Sequence, residues 1–454
     1  MPQVNINRYY KQYFTPLRLA EFMVNLIPDE NIHFVIDLSM GECGLLEEAK
    51  KRWKNAIYYG ADIDETLLCK IHAKSPYIKT FCGDSLGESI KYWEDYQYIL
   101  KSKKFDLAIA NPPFNFFDQD TVKVFDTKEF TLPIEIRFLI KYIDIIREGG
   151  YICIILPYGF LSLDLYKELR KLILTKVTIM KVIKVFPNCF DKIDADTCII
   201  LMQKKNNDDC SIQDKITIEY LNDQYLLERS AMINCLEGVE RLDLEYNQLI
   251  EEINEMQKKC IFPIVSLSQL VEKCIRGKTL TNRKDLISDS GNRYLHTTDI
   301  KFLSISNKSP MYVSNIDNYF KKSYAEMNSI LIGRVGKGCI GKVAIIAKPY
   351  PRSIVSDCLF CLSVKNIDPY YLTVYLASSY GQKQLFGIAK GSCSRYITKE
   401  DLMGLKVIVP DKEIQDDIRR KYIEILKKPE NGSKENLLRA LVKELEDILG
   451  KENK

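Results

Sequence analysis

Short apolar runs alternate with stretches of helical periodicity over residues 33–203. Seven of these runs are rich in β-branched and aromatic residues, as strands are: HFVIDL, IYYGADI, IKTFCGD, FDLAIANPP, GGYICIILP, IMKVIKVF and DTCIILMQKK. Strands separated by helix-length connections are typical of a sheet with helices on both faces. The pattern therefore predicts a seven-stranded, doubly wound α/β sheet, in which ligands bind at the carboxyl ends of the strands.

The pattern changes after residue 203. The polar stretch KKNNDDCSIQD ends the alternation, and the acidic, helix-prone residues that follow predict a helical connector. Glycine, serine and β-branched residues then dominate, as in SILIGRVGKGCIGKVAII, and predict a second, α+β domain. Helical periodicity returns at the end of the chain. The predicted segments are a first domain over 1–223, a connector over 224–260, a second domain over 261–412 and a helical segment over 413–454.

Composition indicates a globular protein, with 46% hydrophobic and 28% charged residues among 454. The polar start MPQVNINRYYKQYF lacks the apolar core of a signal peptide, and YICIILPYGFL is too short to span a bilayer. We therefore expect a cytoplasmic protein with no membrane partner. The 14 cysteines lie mostly in apolar surroundings, and Cys358 and Cys361 form a Cys-x-x-Cys without a second pair. Reduced thiols and no metal site are expected.

Charge is distributed unevenly along the chain. Residues 1–200 carry 26 Lys and Arg against 27 Asp and Glu, whereas residues 262–410 carry 21 against 10. An excess of this kind suits a polyanionic partner such as nucleic acid, although a solvated basic face would also produce it.

Each of the first four strands is followed by a residue that could hold a ligand. Asp37 ends the first strand and is followed by Gly41, where the backbone can approach a ligand closely. Asp62 comes 25 residues later, a spacing typical of an acid that accepts hydrogen bonds from a ribose. Asp84 and Asn111 follow the third and fourth strands. Each acid taken singly could instead cap the next helix.

The stretch Asn111-Pro112-Pro113-Phe114 follows a buried strand and must end it. Proline cannot donate to a sheet ladder and restricts the residue before it, so the chain leaves the sheet in a stiff loop. This loop presents an amide oxygen, proline carbonyls and an aromatic ring together. The sequence thus predicts a cluster of hydrogen-bond acceptors beside an aromatic ring.

Taken in order, seven motifs resemble those of the gamma-class adenine-N6 DNA methyltransferases, which use S-adenosylmethionine: YFTP, VIDLSMGECGLL, GADID, CGDS, NPPF, GGYICIILPYGFL and VFPNCFDKIDADTCIIL. The resemblance covers residues 13–203 and implies a Rossmann-like methyltransferase sheet. It also implies an enzyme that acts on an adenine flipped out of double-stranded DNA. The chain departs from the family at Asp37-Leu38, where an Asp-Pro pair is usual. It departs again at Cys43, which stands at the position of the family's second glycine in the Gly-rich turn.

The resemblance also implies roles for individual residues. Phe14-Thr15-Pro16 would close over the methionine end of the cofactor, Asp37 would meet its amino group, Asp62 its ribose and Asp84 its adenine. The implied cofactor-binding residues are Thr15, Asp37, Gly41, Asp62, Asp84 and Asn111, and the implied catalytic residues are Asn111, Pro112, Pro113, Phe114 and Phe190. Phe114 would stack on the target base, and the family spacing favours Phe190 over Phe186 for its other face.

The second domain resembles the target recognition domains of type I specificity subunits. The similar stretches are NSILIGRVGKGCIGKVAII, GQKQLFGIAKGSCSRYITKEDLMGLKVIVP and DKEIQDDIRRKYIEIL. One such unit is visible. Candidate contacts to DNA phosphates or grooves are Arg276, Lys278, Arg283, Lys284, Arg334, Lys337 and Lys342, with ordinary surface charges as the alternative.

The sequence therefore predicts a site-specific adenine-N6 DNA methyltransferase with S-adenosylmethionine as cofactor and double-stranded DNA as partner. A cognate restriction endonuclease is a further candidate partner. Two other functions stay open, a protein glutamine methyltransferase and a bifunctional restriction and modification enzyme. Asp84 and the Asn-Pro-Pro-Phe stretch argue against a third, a DNA-binding specificity protein without activity. The glutamine enzymes share the Asn-Pro-Pro-aromatic stretch but do not need the basic second domain.

Overall fold

The computed structural model of the chain describes residues 14–102, 104–115, 117–190, 196–206, 215–280, 287–313, 323–336, 338–347, 352–391 and 394–450. The chain divides into two compact units, Met1–Asn247 and Gln248–Lys454. In the described residues, no helix is both long enough and apolar enough to cross a bilayer.

The first unit contains helices and strands in alternation. Its described helices are α1 (Leu17–Leu26), α2 (Gly44–Arg52), α3 (Glu65–Lys74), α4 (Glu94–Ser102), α5 (Ile134–Ile145), α6 (Gly159–Ser162), α7 (Lys167–Leu174), α8 (Cys235–Glu240) and α9 (Leu244–Lys259), which ends in the second unit. Its described strands are β1 (Phe34–Asp37), β2 (Ile57–Asp62), β3 (Ile78–Cys82), β4 (Phe105–Ala110), β5 (Gln119–Val124), β6 (Lys128–Pro133), β7 (Ile146–Pro157), β8 (Val177–Val185), β9 (Thr197–Lys204), β10 (Lys215–Leu221) and β11 (Leu227–Asn234).

The main sheet of this unit has nine described strands in the order β11-β10-β8-β9-β7-β4-β1-β2-β3. Strands β1 to β4 and β7 run parallel, whereas β9 is antiparallel to both of its neighbours and β11 is antiparallel to β10. All seven predicted strands are present. The predicted count of seven is nevertheless wrong, because β10 and β11 extend one edge.

Strand β11 occupies residues that the acidic, helix-prone composition assigns to a helical connector. It pairs with β10 and buries Ala231 and Ile233, while most of its other side chains are exposed. An edge strand needs only one apolar face, so its residues lack the continuous apolar run that marks a central strand. The first unit therefore extends beyond residue 223, where the predicted first domain ends.

Helices cover both faces of the main sheet. Buried side chains of α1 and α2 form one apolar cluster with one face, and those of α4, α5 and α7 form another with the opposite face. Strand β4 is buried along its whole length, as expected for a central strand covered on both sides. Since β1 to β4 are parallel, the residues at their carboxyl ends meet at one edge.

A hairpin that the sequence does not predict lies between β4 and α5. Strands β5 and β6 pair with each other as a separate two-stranded sheet. Their turn contains Phe125 and Asp126, both with positive φ, at 47° and 56°. Because the hairpin leads into α5, it joins the end of the Asn-Pro-Pro-Phe loop to the start of that helix.

The second unit combines several small sheets with helices, as the predicted α+β domain does. Its described strands are β12 (Ile264–Ser266), β13 (Val271–Arg276), β14 (Ile287–Ser288), β15 (Asn292–Leu295), β16 (Ile300–Lys301), β17 (Ser304–Ile305), β18 (Met311–Val313), β19 (Tyr324–Glu326), β20 (Ile330–Gly333), β21 (Val343–Ile345), β22 (Arg352–Val355), β23 (Leu359–Val364) and β24 (Lys406–Ile408). The larger sheets are β13-β23-β20-β21 and β14-β18-β15-β22-β19.

The helices of the second unit surround its main apolar cluster. Those described are α10 (Leu267–Leu270), α11 (Pro369–Ala377), α12 (Ser379–Gly387), α13 (Lys399–Met403), α14 (Lys412–Leu426) and α15 (Gly432–Leu449). Ile418 and Tyr422 of α14 and Leu438 and Leu445 of α15 are buried in that cluster. The helical C-terminal residues therefore belong to the core of the second unit.

Candidate active site

A cavity of about 300 Å³ opens at the carboxyl ends of β1 to β4 in the first unit. Its walls combine strand ends, the loop after β4 and the first two turns of α5. The lining residues are Phe14, Leu38, Ser39, Gly41, Asp62, Ile63, Gly83, Asp84, Ser85, Leu86, Asn111, Pro112, Pro113, Asp118, Ile134, Arg137 and Phe138. Six of the predicted site residues thus line one cavity: Gly41, Asp62, Asp84, Asn111, Pro112 and Pro113.

Asp37 ends β1 and is only 1% exposed. Its Oδ1 accepts hydrogen bonds from the Ser39 N–H at 2.9 Å, the Ser39 hydroxyl at 3.3 Å and the Tyr142 hydroxyl at 3.2 Å. Burial raises the pKa of Asp37 to about 7. Asp37 is not itself in the cavity wall, but the two residues after it, Leu38 and Ser39, are.

The turn after β1 passes beneath an aromatic ring. Gly41 has φ +53°, and a Cβ added there would lie 3.5 Å from the Phe14 ring. Its N–H donates to Asp62 Oδ2 at 3.0 Å. This hydrogen bond ties the turn after β1 to the acid at the end of β2.

Cys43 occupies a position where the resemblance leads us to expect glycine. It lies in the left-handed region, with φ 58° and ψ 17°, and directly precedes α2. Glycine favours that region, whereas another residue is strained there by about 1–2 kcal/mol. The turn therefore keeps the backbone conformation of a glycine despite the substitution.

Asp62 and Asp84 lie in the cavity wall but differ in their surroundings. Asp62 is buried, and burial raises its pKa. Its second oxygen, Oδ1, accepts from the Asp64 N–H at 3.0 Å. Asp84 is exposed, and its Oδ1 accepts from the Leu86 N–H at 2.9 Å. A carboxylate has about four acceptor positions, so both acids retain capacity to accept from a ligand.

The loop after β4 is held at both ends. The Asn111 Nδ2 donates to the Thr15 hydroxyl at 3.2 Å, and the Asn115 N–H donates to Glu135 Oε2 at 3.3 Å. Pro112 is buried, and Phe114 is half-buried against the cluster around α1. The acceptor groups of the loop are therefore fixed by the fold.

Helix α5 contributes residues that the sequence patterns do not single out. Arg137 and Phe138 line the cavity, and the Arg137 Nη2 donates to Asp118 Oδ1 at 2.6 Å. Glu135 is buried, which raises its pKa. The signal for Glu135 was an acid within the apolar run IEIRFLI. Helical periodicity alone, however, does not show which loop such a residue contacts.

Phe190, the predicted second aromatic residue, is only 4% exposed and lies in the apolar cluster around α1. Phe186 is half-buried and packs edge-on against Tyr225, with 5.5 Å between ring centroids. Neither belongs to the cavity wall. The assignment of Phe190 to the target base therefore stays a prediction.

The predicted DNA contacts of the second unit fall into different environments. Arg276 ends β13 with its side chain 58% exposed, and its guanidinium lies 3.5 Å from the Asp357 carboxylate. The Arg334 Nε donates to the Asp357 carbonyl at 2.7 Å, with its side chain 13% exposed. Arg276 thus presents its charge to solvent much more than Arg334 does.

Lys342 is directed into its own unit, because its Nζ donates to the Thr297 carbonyl at 2.9 Å. The Lys278 N–H donates to the Val355 carbonyl at 2.9 Å. The other three candidates, Arg283, Lys284 and Lys337, lie outside the described residues. In the described part of the chain, no group of three or more His, Cys, Asp or Glu side chains is arranged to hold a metal ion.

Comparison with known proteins agrees with the two-unit organisation. Residues 7–237, more than half of the chain, match the N-6 DNA Methylase family. Residues 262–439 match the type I restriction modification DNA specificity domain.

Individual relatives are more distant. A putative type II restriction enzyme and methyltransferase of Methanocaldococcus jannaschii is 29% identical over 157 residues, which are 32% of this chain and 13% of the relative. The type II methyltransferase M.AccI of Acinetobacter calcoaceticus is 23% identical over 290 residues, 59% of this chain and 52% of the relative. The chain thus spans about half, or much less, of the length of these curated relatives. The structure of the type IIG restriction endonuclease BpuSI is 12% identical with a TM-score of 0.46, covering 96% of this chain and 65% of that one.

Proposed function

Because the chain belongs to the N-6 DNA methylase family, we propose that it transfers a methyl group from S-adenosylmethionine to N6 of an adenine in double-stranded DNA. One observation carries the proposal: the Asn111-Pro112-Pro113 loop lines the same cavity as Asp62 and Asp84. In this proposal, acceptors for an amino group and acceptors for a nucleoside cofactor share one cavity.

The residues present fit S-adenosylmethionine. The cavity of about 300 Å³ is at the lower end of the range for small-molecule sites. The cofactor has an ammonium, a ribose diol and an adenine amino group, which all donate hydrogen bonds. Asp62 and Asp84, which line the cavity, would receive the ribose diol and the adenine amino group, and Asp37, which adjoins the lining residue Leu38, would receive the ammonium. Carboxylates are suited to that task. When bound, the cofactor supplies an electrophilic methyl group.

The loop after β4 supplies the acceptors for the target amino group. The lone pair of an aromatic amine is delocalised into its ring, so the amine is a poor nucleophile. Accepting both N–H bonds out of the ring plane, by the Asn111 side-chain oxygen and the Pro112 carbonyl, would localise that lone pair. The bond from Asn111 Nδ2 to Thr15 orients the amide before a base arrives, which is the basis of preorganised catalysis.

The target adenine would leave the duplex to reach this loop, with Phe114 as the ring on which it stacks. Recognition of a specific site would come from the second unit, which matches a DNA specificity domain. The excess of positive charge over residues 262–410 supports DNA, rather than a protein glutamine, as the substrate. A cognate restriction endonuclease is proposed as a functional partner.

The proposal is tested by incubating the purified protein with double-stranded DNA and methyl-labelled S-adenosylmethionine. Digestion of the DNA to nucleosides is expected to recover the label in N6-methyladenine, and the Asn111→Ala variant is the negative control. Label recovered in protein would indicate the glutamine enzyme instead. Label in a cytosine, or no label in DNA of any sequence, would refute the assignment.

A further inference from the structure

The chain has Leu38 directly after Asp37, where the methyltransferases that it resembles usually have proline. Leucine has a backbone N–H and proline does not. Leu38 is 1% exposed, and a buried N–H without a partner costs about 1–3 kcal/mol. The structure therefore has to provide an acceptor that an Asp-Pro pair would not need.

Tyr142 of α5 is that acceptor. The Leu38 N–H donates to the Tyr142 hydroxyl at 2.8 Å, and the hydroxyl donates in turn to Asp37 Oδ1 at 3.2 Å. The direction of the second bond follows from the first, because a backbone N–H can only donate and Asp37 accepts when ionised. One buried hydroxyl thus bridges two consecutive residues of the turn after β1.

The hydrogen bonds to Asp37 converge on one oxygen. Ser39, through its N–H and its hydroxyl, and Tyr142 all donate to Oδ1. None of the residues that the structure describes donates to Oδ2. The second oxygen therefore has no donor among the described residues, and Asp37, which is 1% exposed, adjoins Leu38 and Ser39 of the cavity wall.

The same helix also holds the loop on the other side of the cavity. Glu135 accepts from the Asn115 N–H, and Phe138 lines the cavity. Glu135, Phe138 and Tyr142 are spaced at i, i+3 and i+7, so they share one face of α5. Through this face the helix connects the turn after β1 with the loop after β4.

We propose that Tyr142 is a positioning residue for the methionine end of the cofactor. Its hydroxyl replaces the conformational restriction of a proline by binding the Leu38 N–H, and it holds the Asp37 carboxylate oriented for the ammonium group. The inference rests on the proposed function, since it assigns Asp37 to that ammonium. It concerns a contact with the turn that binds the cofactor, so Tyr142 is expected to affect cofactor binding more than DNA binding.

The first test is calorimetric titration of S-adenosylmethionine into the Tyr142→Phe variant. Loss of one hydrogen bond to a charged group is expected to weaken binding about 10-fold or more. DNA affinity should stay unchanged. An affinity for S-adenosylmethionine equal to that of the wild-type protein would overturn the proposal.

Tyr96→Phe is the matched control. Tyr96 is buried in the same apolar cluster, and its hydroxyl has no hydrogen-bond partner among the described residues. This variant loses the same oxygen without losing a contact to the turn. An equal loss of cofactor affinity in Tyr96→Phe would show that the effect is a general disturbance of the core, and the assignment to Tyr142 would fall.

A second variant tests the pairing with Leu38. In the Tyr142→Phe background, the Leu38 N–H has lost its acceptor, and Leu38→Pro removes that N–H. The residue before the new proline is Asp37, which lies in a strand, a conformation that proline tolerates in the preceding residue. Part of the cofactor affinity is expected to return. A further loss, or no recovery, would contradict the pairing.

The third measurement needs no cofactor and so separates failure of this inference from failure of the proposed function. Carboxyl-labelled aspartate allows the pKa of Asp37 to be followed by NMR in the free protein, with Asp37→Asn to assign the signal. The charged group that faces Asp37 from the neighbouring strand is Asp62, and Tyr142 faces it from α5. Because the Tyr142 hydroxyl favours the ionised form, its removal should raise the pKa of Asp37 further. An unchanged pKa in Tyr142→Phe would refute the contact.

Discussion

Replacing Asn111 by alanine tests the proposed chemistry most directly. The substitution removes the side-chain oxygen, one of the two proposed acceptors for the adenine amino group, and leaves the other, the Pro112 carbonyl, in place. It also removes the donor to the Thr15 hydroxyl. Asp62 accepts from the Gly41 and Asp64 N–H groups and Asp84 from the Leu86 N–H, so cofactor affinity is expected to be kept.

The expected decrease in the rate of methyl transfer follows from the loss of one of the two proposed acceptors. Loss of one preorganised hydrogen-bonding group typically lowers a rate by about 100-fold to 1,000-fold, or about 2.7–4 kcal/mol. Thr15→Val separates orientation from acceptance, because it keeps the Asn111 oxygen but removes the Thr15 hydroxyl to which Nδ2 donates. One ordinary hydrogen bond contributes about 0.5–1.5 kcal/mol, so a decrease of roughly 2-fold to 12-fold is expected for Thr15→Val.

The assay is single-turnover transfer of labelled methyl groups to DNA, with cofactor and protein in excess over DNA. Cofactor affinity is measured separately by calorimetry, so that a loss in binding is not mistaken for a loss in the chemical step. Asn115→Ala is the matched control, since it makes the same substitution in the same loop but keeps the N–H that donates to Glu135. Asn115→Ala is expected to react at a rate close to wild type.

Two results would refute the reasoning. A single-turnover rate for Asn111→Ala within about 10-fold of wild type would show that the side-chain oxygen does not accept from the target amine. An equal decrease in Asn115→Ala would show that the loop, rather than the amide of Asn111, is being disturbed.

Three further outcomes are expected. Asp62→Ala should weaken S-adenosylmethionine by about 2–4 kcal/mol, the loss of two charge-assisted hydrogen bonds, with DNA affinity kept; calorimetry showing unchanged cofactor affinity would contradict the ribose assignment. Because burial raises the pKa of Asp37 to about 7, and a bound ammonium favours its ionised form, cofactor affinity should increase as the pH rises towards about 7. Titrations that show a flat profile across that pH range would speak against contact with the ammonium. Arg276→Ala should weaken DNA binding and reduce its dependence on salt by about one counterion. Lys342→Ala should leave the salt dependence unchanged, because Lys342 donates to the Thr297 carbonyl. Equal salt dependence of the two variants in gel shifts would contradict this distinction.

Local patterns were sufficient to locate seven of the nine described strands of the main sheet and the residues at the ends of β1 to β4. Strand β4 is buried on both faces, so its sequence is an uninterrupted apolar run that Asn111 and the prolines must end. Asp62 and Asp84 follow their strands in the same way. Since parallel strands end at one edge, the order of these motifs along the chain predicts that they meet at one site, and the shared cavity confirms this for Asp62, Asp84 and Asn111.

Tertiary structure alone decided the contacts made by residues without a local signal. Tyr142 and Glu135 belong to a helix whose periodicity shows only that it is buried, and their partners, Leu38 and Asn115, lie elsewhere in the chain. Strand β11 has too few apolar residues to be recognised by pattern, because pairing with β10 requires only one buried face. Likewise, Arg276 and Lys342 look alike in the sequence, yet one is exposed and the other donates to a carbonyl of its own unit. In each case the partner is distant in sequence, so packing rather than local composition determines which groups meet.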